Sequence, residues 1–76
     1  MKPNTLKNII LSLTSDLSFE YNNKTALINP WSENKIEVCF GEKVKTYHEI
    51  NELMEDPLFD GQSLKNICND LEIYQV

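Results

Sequence analysis

The chain predicts an α+β fold, a two-layer sandwich in which helices cover one face of an antiparallel sheet. Three observations carry this prediction. Apolar residues recur at helical spacing near both ends of the chain and at strand spacing in its middle. The strand segments are separated by short turn signals, as in an antiparallel meander. Within those segments apolar and polar residues alternate, so only one face of the sheet needs cover. At 76 residues the chain reads as a single domain, a size at which one core leaves only a few kcal/mol of net stability.

The first helix is expected over Asn4 to Asp16, where Leu6, Ile9, Ile10 and Leu13 fall at i, i+3, i+4 and i+7 and Leu17 continues the stripe. Asn4 or Thr5, just after Pro3, is the expected cap. From Leu17 the period becomes two. Leu17, Phe19 and Tyr21 alternate with Ser18 and Glu20, Asn22-Asn23-Lys24 makes a hairpin turn, and Thr25 to Asn29 returns. Whether the turn centres on Asn22-Asn23 or Asn23-Lys24, the two registers differ by two residues, so both place Phe19, Tyr21, Ala26 and Ile28 on one side.

After a loop expected from Pro30 to Asn34, Ile36, Val38 and Phe40 alternate with Glu37 and Cys39 as a third strand. Gly41-Glu42 punctuates it, and Val44 and Thr46 open a fourth. Placing Phe40 opposite Val44 keeps the apolar side continuous, and that register is the expected one. Ser18, Glu20, Thr25, Glu37 and Lys45 then form the polar face.

The helical period returns at Tyr47, Ile50, Leu53 and Met54, with Thr46 and Glu49 spaced as a capping box and Pro57 as the stop. Asp60-Gly61 signals a turn, Ser63 or Asp60 a cap, and Leu64, Ile67, Cys68 and Leu71 a last helical stripe. Ile73 to Val76 suits either a frayed helix end or a short edge strand. The sum is an N-terminal helix, a meander of three to four strands, and two C-terminal helices on one sheet face.

Composition narrows function by exclusion. No apolar run approaches the roughly 20 residues of a membrane span. The net charge of -5 is concentrated towards the C-terminus: beyond Lys45 only Lys65 offsets Glu49, Glu52, Glu55, Asp56, Asp60, Asp70 and Glu72. Every basic residue is lysine, so the planar fork that grips phosphate and guanine is missing and nucleic-acid binding is disfavoured. Cys39 and Cys68 could form at most one disulfide. Because MKPNTLKN turns amphipathic at once with no apolar leader, a reduced pair in the cytoplasm is expected. For the same reason the triplet Asn23-Lys24-Thr25 reads as a polar turn instead of a glycosylation site.

No catalytic signature is present. His48, the single histidine, has only solvated carboxylates nearby in sequence, and Cys39 sits mid-strand without an electropositive neighbour. Asp56-Pro57-Leu58-Phe59-Asp60-Gly61 lacks the alternating acids of a calcium loop and reads as a helix connection with Leu58 and Phe59 tucked inwards. No enzyme activity, cofactor or metal is expected.

Two surfaces remain. Trp31, held behind Pro30, either closes the small core or stands as an aromatic anchor for a partner. Should the second strand run on through it, Trp31 joins Leu27 and Cys39 as an apolar island on the open sheet face, a natural seam for a homodimer or another protein. On the following helix Glu49, Glu52, Glu55 and Asp56 fall opposite Ile50 and Met54, giving either a solvated face or an acidic docking surface for a basic partner. The expectation is therefore a small acidic binding or regulatory protein that works through Trp31, Leu27, Glu49, Glu52, Glu55 and Asp56 and occludes a basic partner surface. The alternative is a DNA-binding regulator using the last two helices, which share a Gly61-containing turn.

Overall fold

A computed structural model describes residues 1–76. Helix α1 (Pro3–Leu11) leads into strands β1 (Leu17–Tyr21), β2 (Lys24–Ser32), β3 (Lys35–Phe40) and β4 (Lys43–Tyr47). Helices α2 (Ile50–Glu55) and α3 (Leu64–Ile67), a 3-10 turn (Cys68–Asp70) and strand β5 (Tyr74–Gln75) follow. The strands form one antiparallel sheet in the order β4-β3-β2-β1-β5. The α+β class, the N-terminal helix, the meander and the C-terminal helices stand as the sequence predicts. The C-terminal segment becomes a fifth strand because Tyr74 and Gln75 pair with Ser18 and Leu17.

Seventeen buried side chains, all apolar, form one core between the helices and the inner sheet face. Phe19, Ala26, Ile28, Ile36, Val38 and Phe40 come from strand positions two apart, whereas Leu6, Ile10, Leu53, Met54, Leu64 and Ile67 come from helical stripes. Phe59 joins the two layers. It belongs to the connection between α2 and α3, is fully buried, and meets Phe40 edge-on at 5.1 Å and Phe19 at 5.5 Å. Asp60, in a left-handed conformation (φ 54°), then reaches outwards to bond Lys24 Nζ (2.8 Å) and Asn22 Nδ2 (3.2 Å), which ties this connection to the first hairpin.

The turns set the registers. Asn22 and Asn23 both have positive φ (51° and 63°), a type I′ arrangement that pairs Tyr21 with Lys24. At the β3–β4 turn Gly41 alone has positive φ (59°), the II′ arrangement, and the hairpin closes tightly with Phe40 opposite Lys43. This corrects the expected Phe40–Val44 pairing by one residue. A one-residue shift exchanges faces, so Val44 lies opposite Cys39 on the open face while Lys45 turns to the helix side. Burial of the Tyr47 ring, 2 % exposed and paired with Ile36, favours this register over one that would bury the smaller Val44.

Other boundaries differ for related reasons. Helix α1 starts at Pro3 as its first helical residue, without the Asn4 or Thr5 cap. It stops at Leu11, where the Ser12 hydroxyl donates back to the Ile9 carbonyl (2.6 Å) and Leu13 takes a left-handed φ of 56° so that the chain can enter the sheet. The expected loop at Pro30 is strand instead. β1 begins opposite Ile28, so β2 beyond that point has a neighbour on one side only, a setting in which proline is tolerated. Thr46 stays extended opposite Glu37, so the expected capping box with Glu49 does not form and α2 begins only at Ile50. Ser63 does cap α3, its Oγ accepting from the Asn66 amide (3.3 Å).

Phe59→Ala should cost about 3 to 5 kcal/mol in chemical denaturation. That is a large share of the stability of a domain this small, roughly 4 to 11 kcal/mol, so the urea midpoint followed by circular dichroism should fall sharply. Leu13→Gly should raise the midpoint of thermal unfolding by about 2 to 4 °C, because relief of left-handed strain exceeds glycine's added chain entropy. Leu13→Ala, which keeps the strain, should give no such gain.

Candidate functional site

The structure places the sequence-nominated residues on two sides of one molecule and brings some of them close. β2 carries Trp31 to the end of the sheet, where a bulge leaves it without a partner between the Pro30–Ile36 and Ser32–Lys35 pairs. Its side chain is 67 % exposed. The neighbouring Glu33-Asn34 turn is held against the start of α2, with His48 Nδ1 donating to the Asn34 carbonyl (3.1 Å). Trp31, Glu33, His48 and Glu49 therefore share one end of the molecule. Glu52 and Glu55 continue the acidic run along the solvent side of α2, and both are exposed, as is Glu49 just before the helix.

Asp56 stands apart from that run. It is half-buried, accepts from Lys45 Nζ (2.9 Å) and from the Tyr47 hydroxyl (2.5 Å), and so latches the end of α2 to the edge strand β4. The Lys45 bond and then the Tyr47 bond hold its carboxyl below the usual aspartate range. Burial first, and then the Asp56 bond, push the Tyr47 phenol up. Lys45 Nζ also lies 5.3 Å from the Tyr47 ring centre. Of the four acids expected to form a free docking band, Asp56 is thus engaged within the fold.

On the open sheet face Leu27 and Cys39 are direct cross-strand neighbours, as their alternation predicts. Trp31 lies four residues, about 13 Å, along β2 from Leu27, at the bulge that interrupts the alternation. The Asn29–Glu37–Thr46 row intervenes. Two further apolar residues stand on this face, Val44 against expectation. Val44 is 64 % exposed beside Cys39, and Tyr74 is 60 % exposed opposite Ser18, its hydroxyl donating to Glu72 (2.8 Å). The signal for Val44 was Gly41-Glu42 read as a two-residue turn. For Tyr74 there was none before the tail was paired.

The remaining groups offer little chemistry. Cys39 is half-buried on the open face and Cys68 is buried beneath the helices, so the sheet separates the two free thiols. Burial pushes the Cys68 thiol up, which makes it a poor nucleophile. Leu58 is half-buried and Phe59 fully buried, so their connection presents no exposed apolar knuckle. An open groove beside β1 is lined by Ser18, Phe19, Glu20, Thr25, Asp70, Glu72 and Tyr74. It contains no histidine, cysteine or lysine to pair with its carboxylates in general acid–base work. No three His, Cys, Asp or Glu side chains gather to hold a metal ion, and no helix is long and apolar enough to cross a membrane.

The latch makes stability depend on pH at both ends. With its folded pKa depressed, Asp56 contributes stability above the ordinary aspartate pKa that is lost as pH falls through the folded value. With its folded pKa raised, Tyr47 contributes stability below the ordinary tyrosine pKa that is lost as pH rises beyond it. Asp56→Asn should lower stability by about 1 to 2 kcal/mol at neutral pH and flatten the acid limb of a stability–pH curve. Tyr47→Phe should flatten the alkaline limb, as followed by urea unfolding at each pH.

Comparison of the chain with protein-family models, with curated proteins and with solved structures finds no match in any of the three, so the surfaces described above are read from their own chemistry.

Proposed function

We propose that this chain is a small acidic binding protein that acts by contact instead of catalysis and occludes a basic surface on a partner protein. The observation that carries the reading is Trp31, two-thirds exposed on a bulge at the end of β2, whose neighbouring turn bonds His48 just ahead of Glu49 and of the α2 glutamates Glu52 and Glu55. Large aromatic side chains dominate binding hot spots, and a tryptophan face attracts lysine and arginine side chains. Carboxylates beside it accelerate encounter with a basic partner and repel acidic ones. Neither of the two ion pairs, Lys24–Asp60 and Lys45–Asp56, engages Glu49, Glu52 or Glu55. The reading takes the cytoplasm as the place of action, where two unpaired thiols persist.

DNA reading by the last two helices has less support. α3 is a single α-helical turn continued by a 3-10 turn, and Leu64, Ile67 and Cys68 face the core. What remains outside is Lys65, Asn66 and Asn69 next to Asp70, too short and too mixed in charge for a helix that must enter a major groove.

The test uses an arginine- and lysine-rich peptide carrying a fluorescent label, titrated by anisotropy and by Trp31 emission. Saturable binding that weakens as salt rises is expected. Trp31→Ala should reduce affinity about tenfold or more, and the triple charge reversal Glu49→Lys, Glu52→Lys, Glu55→Lys should abolish it, both with unchanged circular dichroism. Binding that ignores Trp31→Ala would be non-specific charge attraction and would overturn the reading, as would no binding.

A further inference from the structure

The sheet ends at β4, and the outward main chain of that edge has no partner within the molecule. The two-residue turn Gly41-Glu42 makes Phe40 and Lys43 a hydrogen-bonded pair, and antiparallel alternation carries the pattern on to Val38–Lys45 and Ile36–Tyr47. The bond from the Gly41 amide to the Thr25 carbonyl (3.1 Å) fits this phase, because it turns the main chain of Cys39 and Glu37 towards β2. The N–H and C=O groups of Val44 and Thr46 therefore point away from the sheet, and no turn or loop bond meets them. Both residues are exposed.

Other margins of the sheet are guarded. β5 has only two residues, and where β2 overruns β1 it carries Pro30. β4 is five residues long, without proline or bulge. Lysine is a usual guard of such an edge, but the Lys45 ammonium is drawn back onto Asp56 (2.9 Å) and over the Tyr47 ring. Between β4 and α2 runs an open groove lined by Lys45, Thr46, Tyr47, Glu52, Glu55 and Asp56. Three carboxylates stand there against one ammonium.

We propose that a basic, extended segment of the partner protein adds to β4 as a further strand, its main chain bonded to Val44 and Thr46 and its helix-side side chains entering the groove towards Glu52 and Glu55. This mode of binding rests on the basic-partner reading above and deepens it. Two observations choose the occupant. Outward donor and acceptor pairs two residues apart are matched by the main chain of another strand. The acidic groove selects lysine and arginine among the side chains that enter it. A second copy fits poorly, since pairing β4 with itself sets Lys43 and Lys45 of one copy against those of the other.

The probe is a fluorescein-labelled peptide of about six to eight residues, the length of a strand, that alternates lysine with valine. Anisotropy measures its binding to the full chain, and NMR measures hydrogen exchange at the Val44 and Thr46 amides. Saturable binding should slow exchange at both by about tenfold or more. N-methylation of one alternate set of peptide amides should abolish binding and of the other set should leave it intact, because only one set faces β4. Thr46→Pro removes an outward N–H that β3 does not use, so the variant should keep its circular dichroism and lose about tenfold or more in affinity. Unchanged exchange at Val44 and Thr46 in the bound state, or equal binding by both methylated peptides, overturns the added strand and leaves the basic-partner reading standing. Both results are read on the unmodified chain. Protection of these amides that grows with chain concentration in the absence of peptide assigns the edge to a second copy and also overturns it. No binding of this peptide where the arginine- and lysine-rich probe binds overturns the strand alone, and failure of both probes overturns both readings.

Discussion

A chain of this length can cover its sheet on one side only, and the rest of the structure depends on that constraint. Three helical segments of nine, six and four residues are enough for one layer. All seventeen buried side chains lie between that layer and the inner sheet face, and none is polar. Every alternate strand residue therefore points to a face with no protein of its own upon it. The polarity of most of those residues makes the exposure tolerable, and the few apolar exceptions give the face its character.

So thin a core must be closed at its margins. Phe59 enters from a connection with almost no regular structure and completes an aromatic group with Phe19 and Phe40, while its neighbour Asp60 clamps the same connection to the first hairpin through Lys24. Lys24 Nζ in turn lies 5.2 Å from the Phe40 ring centre, so the cation closes over the aromatic group it helps to hold. At the opposite margin Asp56 joins α2 to β4 through Lys45 and Tyr47. Both closures pair a buried aromatic ring with a carboxylate–lysine bond near the surface. Apolar burial stabilises and the polar bond orients, since exposed ion pairs add little energy by themselves. Neither closure engages Glu49, Glu52 or Glu55, so these carboxylates stay exposed to solvent.

Much of the fold was legible because periodicity reports which residues share a face. The alternation of Leu17 and Phe19 and of Ile36, Val38 and Phe40, and the stripes through Met54 and through Cys68, translate directly into buried positions, while Tyr21 and Leu71 at the ends of their patterns are half-buried. The candidate site was legible only in part. Trp31, Leu27 and Cys39 were recognisable as apolar residues at positions of polar parity, and Glu49, Glu52 and Glu55 as a helix face. Asp56 looked equivalent to its neighbours because nothing local shows that Tyr47 and Lys45 lie beside it. Val44 falls on the face opposite to the expected one because its register rests on whether the turn holds two residues or three, and Tyr74 has no face until its strand has a partner.

The sequence by itself determined the α+β class, the order of helices and strands, the side of each strand that is buried within a given register, and the acidic balance. These follow from spacing and composition, which are local properties of a chain. Tertiary structure decided where Thr46 and Tyr47 belong, how far β2 extends past Pro30, which acid is tied into the fold, and which apolar residues reach water together. Each of these depends on which backbone lies alongside which. A one-residue shift of a strand leaves its composition unchanged and exchanges every side chain between core and solvent.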